Sequence, residues 1–160
     1  MKFIAIIPAR YASTRFPAKP LAVLGGKTVI QRVYEQVAGV LDDAVVATDD
    51  QRIYDAVKAF GGKVEMTSTA HRSGTDRCWE AYCKQGNQYD VVINVQGDEP
   101  FIQRSQLEAL KACFADPNTD IATLVKPFSV DDDMLVIGVL LEPLASIYAT
   151  QVRNYRAREV

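Results

Sequence analysis

Three cations stand close together in one short loop near the N-terminus. They are Arg10, Arg15 and Lys19, and the residues around them are mostly small residues and prolines. Small residues let the backbone approach a ligand, and clustered cations neutralise the charge of a polyphosphate. A solvated basic loop is the alternative interpretation of such a cluster. The loop follows the first apolar run, where ligands bind in open α/β sheets, and this position favours phosphate binding.

A carboxylate follows a later apolar run in a similar way. The run Tyr89–Val95 leads directly into Gln-Gly-Asp-Glu-Pro, in which Gly97 permits a tight turn. Asp98 is then expected at the mouth of the sheet, facing the cationic loop. A carboxylate there can hold Mg²⁺ against phosphate oxygens, because magnesium is commonly bound by one or two carboxylates together with its substrate. Alternatively, Asp98 or Glu99 only caps the turn before Pro100. The sequence pattern alone does not decide between metal binding and turn capping.

A polar loop, residues 67–77 (TSTAHRSGTDR), supplies hydrogen-bonding groups. Ser73 and Thr75 are candidate N-caps of the helix that follows, since a hydroxyl can accept a hydrogen bond from the first helical turn. His71, Arg72 and Ser73 are also able to donate hydrogen bonds to a base or a sugar. The loop therefore has two interpretations, helix capping and ligand recognition.

The elements that must position these loops are short strands alternating with amphipathic helices. The predicted strands are Lys2–Ile7, Ala44–Ala47, Lys63–Thr67, Tyr89–Val95 and Ile121–Val125. Between them, helices are predicted from Thr28 to about Val40, up to Gly61–Gly62, around Trp79 and Tyr82 to Gly86, and around Leu107, Leu110 and Phe114. Asp49 or Asp50 is expected to cap the second helix. This alternation predicts an α/β fold with a mostly parallel, doubly wound sheet. A last helix is predicted within Ala145–Arg158.

The three loops converge on one edge of the predicted sheet. A cationic loop, a hydrogen-bonding loop and an aspartate suited to a metal ion together favour binding of a nucleoside triphosphate with magnesium. The sequence has neither GxGxxG nor GxxxxGK[ST], so the dinucleotide and P-loop modes of binding are disfavoured. A flavodoxin-like receiver or binding module is a weaker alternative, because a receiver needs an acidic pocket where this chain has cations.

Composition excludes several other classes. Eighteen basic and twenty acidic residues give a formal net charge of −2, which disfavours nucleic-acid binding. The longest apolar run, Met134–Leu141, is far shorter than the roughly 20 residues that span a bilayer. We therefore expect a cytoplasmic chain with no membrane partner. His71 is the only histidine, so zinc chemistry is disfavoured, and Cys78 and Cys113 are expected to be buried or half-buried structural thiols.

Several motifs resemble a known family. IPARYASTRFPAKPL, VATDD, SGTDRCWEA and VQGDEPFI closely resemble the 3-deoxy-manno-octulosonate (KDO) cytidylyltransferases, in order, from Met1 to about Val130. The first motif is shared with the cytidylyltransferases that act on sialic acid, whereas SGTDR together with VQGDEP favours the KDO family. The resemblance implies a Rossmann-like nucleotidyltransferase domain over residues 1–130 that binds CTP. Residues 131–160 depart from the motifs and are interpreted as an atypical C-terminal segment, not as an independent domain.

The resemblance also implies a reaction and a set of roles. The family transfers CMP from CTP to KDO, giving CMP-KDO and pyrophosphate for lipopolysaccharide biosynthesis, with Mg²⁺ and as a homodimer. By position, the implied roles are CTP binding for Ala9, Arg10, Arg15, Lys19 and Ser73, KDO binding for Gln96, metal binding for Asp98, and catalysis for Arg10, Lys19 and Asp98. A sialic acid cytidylyltransferase, and a truncated or degenerate CTP-binding relative without transferase activity, are the alternatives.

Overall fold

The computed structural model describes residues 1–12, 17–86 and 88–124, and the backbone of 147–151. Its strands are β1 Phe3–Ala9, β2 Val23–Leu24, β3 Lys27–Thr28, β4 Asp43–Thr48, β5 Val64–Met66, β6 Val91–Val95, β7 Ile121–Thr123 and β8 Ile147–Gln151. The helices are α1 Val29–Ala38, α2 Gln51–Ala59, α3 Gly74–Lys84 and α4 Arg104–Cys113, and Lys19–Leu21 forms one 3₁₀ turn.

The main sheet has the strand order β5-β4-β1-β6-β8-β7. Strand β1 pairs in parallel with β4 and with β6, and β4 pairs in parallel with β5, whereas β8 is antiparallel to both β6 and β7. The chain thus runs outward from β1 through β4 to β5 and then returns to place β6 on the other side of β1. This reversal is the point where open α/β sheets bind their ligands. The predicted mostly parallel α/β architecture is confirmed.

Helices cover both faces of the sheet. On one face, α1, α2 and α4 contribute Ile30, Val33, Val37, Ile53, Val57, Leu107, Leu110 and Phe114 to a single buried core. On the other face, α3 contributes Cys78, Ala81 and Tyr82, which pack on Ile4, Ile6, Val45 and Ala47. All seven residues of β1 are buried, because this strand is covered from both faces. The sheet is therefore doubly wound, with α3 alone on its face among the described helices.

Side-chain caps start three of the helices. The caps are Thr28, Asp50 and Ser73, which accept hydrogen bonds from the backbone N–H groups of Gln31, Arg52 and Asp76. Each cap satisfies a donor that the first helical turn leaves without a partner. The predicted caps at Asp50 and Ser73 are confirmed, and each one follows directly from a loop at the carboxyl edge of the sheet.

Two local features differ from the prediction near the N-terminus. Strand β1 continues through Pro8 to Ala9, where it still pairs with β4. The proline has no N–H to donate, but the pairing of β1 with β6 has already ended at Ile6, and the Pro8 carbonyl still accepts a hydrogen bond from the backbone N–H of Gly97. A small hairpin of β2 and β3 was also missed. Its two-residue Gly-Gly turn between apolar and β-branched residues was the sequence signal for a hairpin.

The predicted helix within Ala145–Arg158 is wrong at its centre. Residues Ile147–Gln151 form strand β8, which is inserted between β6 and β7 with antiparallel pairing to both. The backbone edge of β6 offers unpaired N–H and C=O groups, and pairing with this edge overrides the local helical pattern. The remaining residues of that predicted helix, and Met134–Leu141, lie outside the described residues.

The described helices and cysteines bear on two further predictions. Within the described ranges, no helix has both the length and the apolar character needed to cross a membrane. Cys78 is buried beneath α3, and burial raises the pKa of its thiol to about 12. Cys113 is exposed, contrary to the prediction, because it precedes Phe114 and lies beside the buried stripe of α4.

Candidate active site

The loops that follow β1 and β6 meet at the reversal point of the sheet. Lys19 begins the 3₁₀ turn after β1, and its Nζ lies 2.7 Å from Oδ2 of Asp98, which follows β6. Each of the two side chains is 44% exposed. The cationic loop and the predicted metal-binding carboxylate are therefore in direct contact, although 79 residues separate them in sequence.

Gly97 lets the loop after β6 approach the end of β1. Its backbone N–H donates to the carbonyl of Pro8 over 3.3 Å. A Cβ at this position would lie 2.8 Å from that same carbonyl oxygen and 3.1 Å from Cδ1 of Ile30. Because neither contact is sterically tolerable without movement, only glycine fits here. The close approach fixes Asp98 beside Ala9, whose side chain is buried.

The cationic loop is closed by its own backbone. The N–H of Ala18 donates to the carbonyl of Tyr11 over 2.9 Å, and Ala18 has the left-handed conformation with φ 60°. This conformation is strained for a residue with a Cβ, and such strain is found most often at functional sites. It turns the chain so that Lys19 points toward Asp98. Arg15, the third predicted cation, lies outside the described residues.

An aromatic contact joins this loop to the start of α2. The guanidinium carbon of Arg52 lies 3.3 Å from the ring centroid of Tyr11. The same guanidinium donates to the carboxylate of Asp50, the α2 cap, and this hydrogen bond lowers the pKa of that carboxyl. A cation over an aromatic face and a carboxylate partner together hold Tyr11 against the start of α2. Sequence reasoning missed this contact because no local pattern links positions 41 residues apart.

The polar loop before α3 lies next to Arg10. Nη2 of Arg10, an exposed side chain, donates to the backbone carbonyl of His71 over 3.3 Å. The hydroxyl of Ser73 accepts from the N–H of Asp76 and donates to its carboxylate over 2.6 Å. The capping role of Ser73 is thus confirmed, and the second lone pair of its hydroxyl oxygen can accept a hydrogen bond from a ligand.

The polar loop is anchored to α3 through one carboxylate. Glu80 accepts hydrogen bonds from Lys84 and from the backbone N–H of Ser68, and its carboxylate contacts the ring of His71. The Lys84 hydrogen bond contributes most, followed by Ser68 and His71, and together they lower the pKa of Glu80 to about 2. Because the backbone of His71 in turn contacts Arg10, this cluster positions the polar loop beside the cationic one.

A buried arginine that the sequence analysis missed connects two strand ends. Arg77 on α3 is fully buried, and its guanidinium donates to Oγ1 of Thr67 and to Oδ2 of Asp49, each over 2.5 Å. Asp49 directly follows β4, and Thr67 directly follows β5. The sequence signal was an arginine within the apolar stripe of α3, next to Cys78. Within the described part of the chain, its Nε has no hydrogen-bond partner.

Gln96 occupies the turn between β6 and Asp98. Its side chain is half-buried, and its backbone carbonyl accepts a hydrogen bond from the backbone N–H of Glu99 over 3.3 Å. Two residues earlier, Asn94 is buried on β6, and its side-chain oxygen has no hydrogen-bond partner among the described residues. The end of β6 therefore carries two amide side chains, four and two residues before the predicted metal-binding Asp98.

The carboxylates present fit one kind of metal site. Among the described residues, no group of three or more histidine, cysteine, aspartate and glutamate side chains could hold a metal ion. Asp98 is a half-exposed carboxylate in contact with Lys19, a cation suited to phosphates. This arrangement fits Mg²⁺ held jointly by a carboxylate and the oxygens of a bound polyphosphate, and does not fit an all-protein cage.

Sequence comparisons identify relatives along the whole chain. A family model described as "Cytidylyltransferase" matches residues 4–137. The chain is 78% identical over 160 residues to the 3-deoxy-manno-octulosonate cytidylyltransferase of Phocaeicola vulgatus, covering 100% of this chain and 64% of that protein. It is 75% identical over 143 residues to the enzyme of the same name from Bacteroides thetaiotaomicron, covering 89% of this chain and 57% of that protein.

These matches add two facts about the extent of the chain. The match to the Phocaeicola vulgatus protein includes residues 131–160, so the likeness extends beyond the limit near residue 130 that the motifs gave. The chain spans less than two thirds of the length of these two relatives, since it covers 64% of one and 57% of the other.

Solved structures agree with the sequence relatives. A CMP:2-keto-3-deoxy-manno-octonic acid synthetase complexed with CTP superposes with a TM-score of 0.77 at 33% identity, covering 98% of this chain and 78% of that one. A cytidylyltransferase from Leptospira borgpetersenii superposes with a TM-score of 0.72 at 20% identity, which shows the shared fold. Together with the matched family model, these likenesses show that the chain belongs to the cytidylyltransferase family, among the 3-deoxy-manno-octulosonate cytidylyltransferases.

Proposed function

We propose that the chain transfers CMP from CTP to KDO, giving CMP-KDO and pyrophosphate for lipopolysaccharide biosynthesis. The observation that carries the proposal is the contact between Lys19 and Asp98 at the reversal point of the sheet. It joins a group suited to phosphate and a group suited to a divalent cation at a single position. The names of the relatives supply the substrates CTP and KDO.

The cationic loop binds the triphosphate in this proposal. Arg10, Arg15 and Lys19 contact phosphate oxygens. The backbone of Ala9, the last residue of β1, also contributes to binding of the triphosphate. Their positive charges offset the charge that builds on the departing pyrophosphate. Because no covalent enzyme intermediate is required, the contribution of these residues is positioning and electrostatic stabilisation.

The transfer itself is an in-line displacement at the α-phosphate. The anomeric oxygen of KDO forms a bond to that phosphorus and loses its proton, while the bond from phosphorus to the pyrophosphate oxygen breaks. Asp98 would hold Mg²⁺ at the α-phosphate, and the bound ion would supply Lewis-acid polarisation there. Gln96, near the same phosphate, binds the acceptor sugar. Ser73 and the backbone of its loop read the cytosine.

Several broader properties belong to the same proposal. Residues 1–130 form the CTP-binding domain, and residues 131–160 are an atypical C-terminal segment that is not an independent domain, which the pairing of β8 with β6 supports. The protein acts in the cytoplasm, as a homodimer, and with Mg²⁺ as its metal ion. Neither nucleic acid nor membrane is a partner, in keeping with the net charge of −2.

The test is pyrophosphate release by the purified chain given CTP, Mg²⁺ and KDO. We expect release that depends on KDO and is absent with sialic acid in its place. Asp98→Asn, which is nearly isosteric, is expected to abolish magnesium-dependent turnover and leave the fold intact by circular dichroism. Normal turnover of this variant would contradict the metal-binding role of Asp98.

The alternatives make different predictions in the same assay. Release with sialic acid and none with KDO would identify a sialic acid cytidylyltransferase. A folded sample that binds CTP but releases no pyrophosphate with either acceptor would identify a CTP-binding relative without transferase activity.

A further inference from the structure

We propose that Lys19 is an internal counter-ion of Asp98 which the triphosphate withdraws, so that Asp98 binds a divalent cation more tightly once the nucleotide is bound. This inference rests on the proposed function, since it concerns how the same site is loaded. It begins from the 2.7 Å contact between the two side chains.

The contact between Lys19 and Asp98 is easily exchanged. Both side chains are 44% exposed, so water competes for each of them. The attraction within an exposed ion pair of this kind favours the paired over the separated side chains by no more than about fivefold. A triphosphate offers Lys19 several negative charges where Asp98 offers one. The lysine therefore moves to the phosphates when the nucleotide arrives, at little cost in the free energy of the protein.

While the contact lasts, Asp98 is a poor metal ligand. The ammonium group neutralises the carboxylate, and it would lie within a few ångströms of any cation on the other carboxylate oxygen. Repulsion between a monovalent and a divalent cation about 4 Å apart in water weakens binding by about 30-fold. Among the described residues, no group of three or more acidic, histidine or cysteine side chains forms a metal site that would offset this repulsion. Asp98 therefore binds a metal ion weakly until Lys19 leaves.

The exchange couples metal and nucleotide in both directions. Withdrawal of Lys19 by the phosphates frees Asp98 for the metal ion, and neutralisation of Asp98 by the ion frees Lys19 for the phosphates. Coupling of this kind between two ligands is reciprocal by thermodynamic linkage. It predicts that removal of the Lys19 charge strengthens metal binding in the absence of nucleotide. It also predicts that removal of the Asp98 charge strengthens nucleotide binding in the absence of metal.

The first experiment measures Mn²⁺ binding to the chain in the absence of nucleotide, by electron paramagnetic resonance of the free ion. We expect Lys19→Met to bind one Mn²⁺ up to about fivefold more tightly than the wild type, because the ion no longer has to displace the Lys19 ammonium from Asp98, a step that costs no more than the exposed ion pair is worth. The gain is expected to disappear in Lys19→Met/Asp98→Asn. Lys19→Arg keeps the positive charge and is expected to bind Mn²⁺ as weakly as the wild type.

A matched control exists in the same chain. Lys27 pairs with Glu35 at 2.6 Å, and the two side chains are 46% and 44% exposed, much like the site pair. Lys27→Met is expected to gain no Mn²⁺ site, since Glu35 still accepts a hydrogen bond from the side chain of Gln31 and still lies in the field of the Arg32 cation. Equal gains for Lys27→Met and Lys19→Met, or no gain for Lys19→Met over the wild type, would overturn the inference.

The second experiment measures CTP binding by calorimetry with all metal removed. We expect Asp98→Asn to bind metal-free CTP about two- to fivefold more tightly than the wild type, because Lys19 is then released to the phosphates. Glu35→Gln is the control and is expected to bind CTP as the wild type does. Metal-free binding that is no tighter in Asp98→Asn than in the wild type would contradict the exchange.

The two experiments separate this inference from the proposed function. If the wild type binds CTP neither with nor without metal, the proposed function is wrong, whatever the Mn²⁺ titration gives. If the wild type binds CTP and releases pyrophosphate but Lys19→Met gains no Mn²⁺ site, the transferase stands and the internal counter-ion is wrong.

Discussion

Two ion pairs, each between a basic side chain and an aspartate, lie at the same edge of the sheet, and the two pairs differ in burial. Lys19 contacts Asp98 with both side chains 44% exposed, whereas Arg77 contacts Asp49 with exposures of 0% and 22%. Each pair joins the end of a parallel strand to a neighbouring element. The chemistry is the same, a cation on a carboxylate, but only one pair is accessible to a ligand.

Burial decides what each pair can do. Removing the partner of a buried charge leaves that charge without compensation, so the contact of Arg77 is costly to break and holds the ends of β4 and β5 together. An exposed pair contributes little to stability, because water solvates either partner after separation. The pair of Lys19 and Asp98 is therefore available for exchange with a substrate. The buried pair of Arg77 and Asp49 keeps the strand ends in place, and the exposed pair of Lys19 and Asp98 can separate when a substrate binds. This combination suits a site that keeps its shape while substrates enter and leave.

The largest effect is expected from breaking the buried pair. Arg77→Met leaves Asp49 and Thr67 without their donor and is expected to lower the free energy of unfolding by about 3 kcal/mol. Urea denaturation measures this loss as a lower midpoint. Arg104→Met is the control, because Arg104 pairs with Glu108 at exposures of 68% and 52% and is expected to change stability by less than about 0.5 kcal/mol. Equal midpoints for the two variants would remove the distinction between buried and exposed pairs.

A methyl group at Gly97 tests how closely the exposed pair is positioned. The added Cβ would meet the Pro8 carbonyl at 2.8 Å, so the loop that carries Asp98 must move away from β1. We expect Gly97→Ala to lower the free energy of unfolding by about 2 kcal/mol and to weaken CTP binding, both measurable on the same sample. Gly39→Ala is the control, since a Cβ there would lie 3.5 Å from the nearest atom outside its neighbours. Unchanged CTP binding in Gly97→Ala would show that the loop position is not critical.

Acid should weaken the anchor of the polar loop. The folded protein lowers the pKa of Glu80 from 4.5 to about 2, so its contribution to stability is complete above pH 4.5 and is lost as pH falls toward 2. Over that window we expect this group to change the free energy of unfolding by at most about 1.4 kcal/mol per pH unit. Lys84→Met removes the largest cause of the shift and should narrow the window. A pH profile of Lys84→Met that matches that of the wild type would contradict this assignment.

The smallest effect on stability is expected at the exchangeable pair itself. Lys19→Met should lower the free energy of unfolding by less than about 1 kcal/mol, as Lys27→Met should at the equally exposed pair with Glu35. Only the first variant is expected to lose affinity for CTP. A loss of stability in Lys19→Met close to that in Arg77→Met would mean that the Lys19 contact is structural.

Local sequence patterns predicted most of the elements. Apolar runs such as the one in β1 are buried on both faces, and such runs have few structural alternatives in a chain with intervening amphipathic helices. Hydroxyl and carboxylate side chains at Asp50 and Ser73 predicted caps, because capping depends only on the first helical turn. Strand β8 could not be predicted in this way, since its pairing partners are distant in sequence.

The candidate site was predictable in residue types but not in contacts. The sequence indicated that cations follow β1 and that an aspartate follows β6, and the parallel sheet made it reasonable that they meet. Arg77 was missed because an arginine on an apolar stripe gives no sign of its partner, and Asp49 lies 28 residues away. The contact of Tyr11 with Arg52 likewise had no local signal.

The sequence by itself determined the alternation of strands and helices, the caps, and the charge of each loop, because these depend on residues within a few positions of one another. The tertiary structure decided which loops meet. Strand order places β1 beside β6 and not beside β5, and this order brings Lys19 to Asp98 across 79 residues. It also decided burial, and burial made one ion pair a fixed support and left the other open to exchange, because the cost of separating two charges depends on whether water can replace the partner.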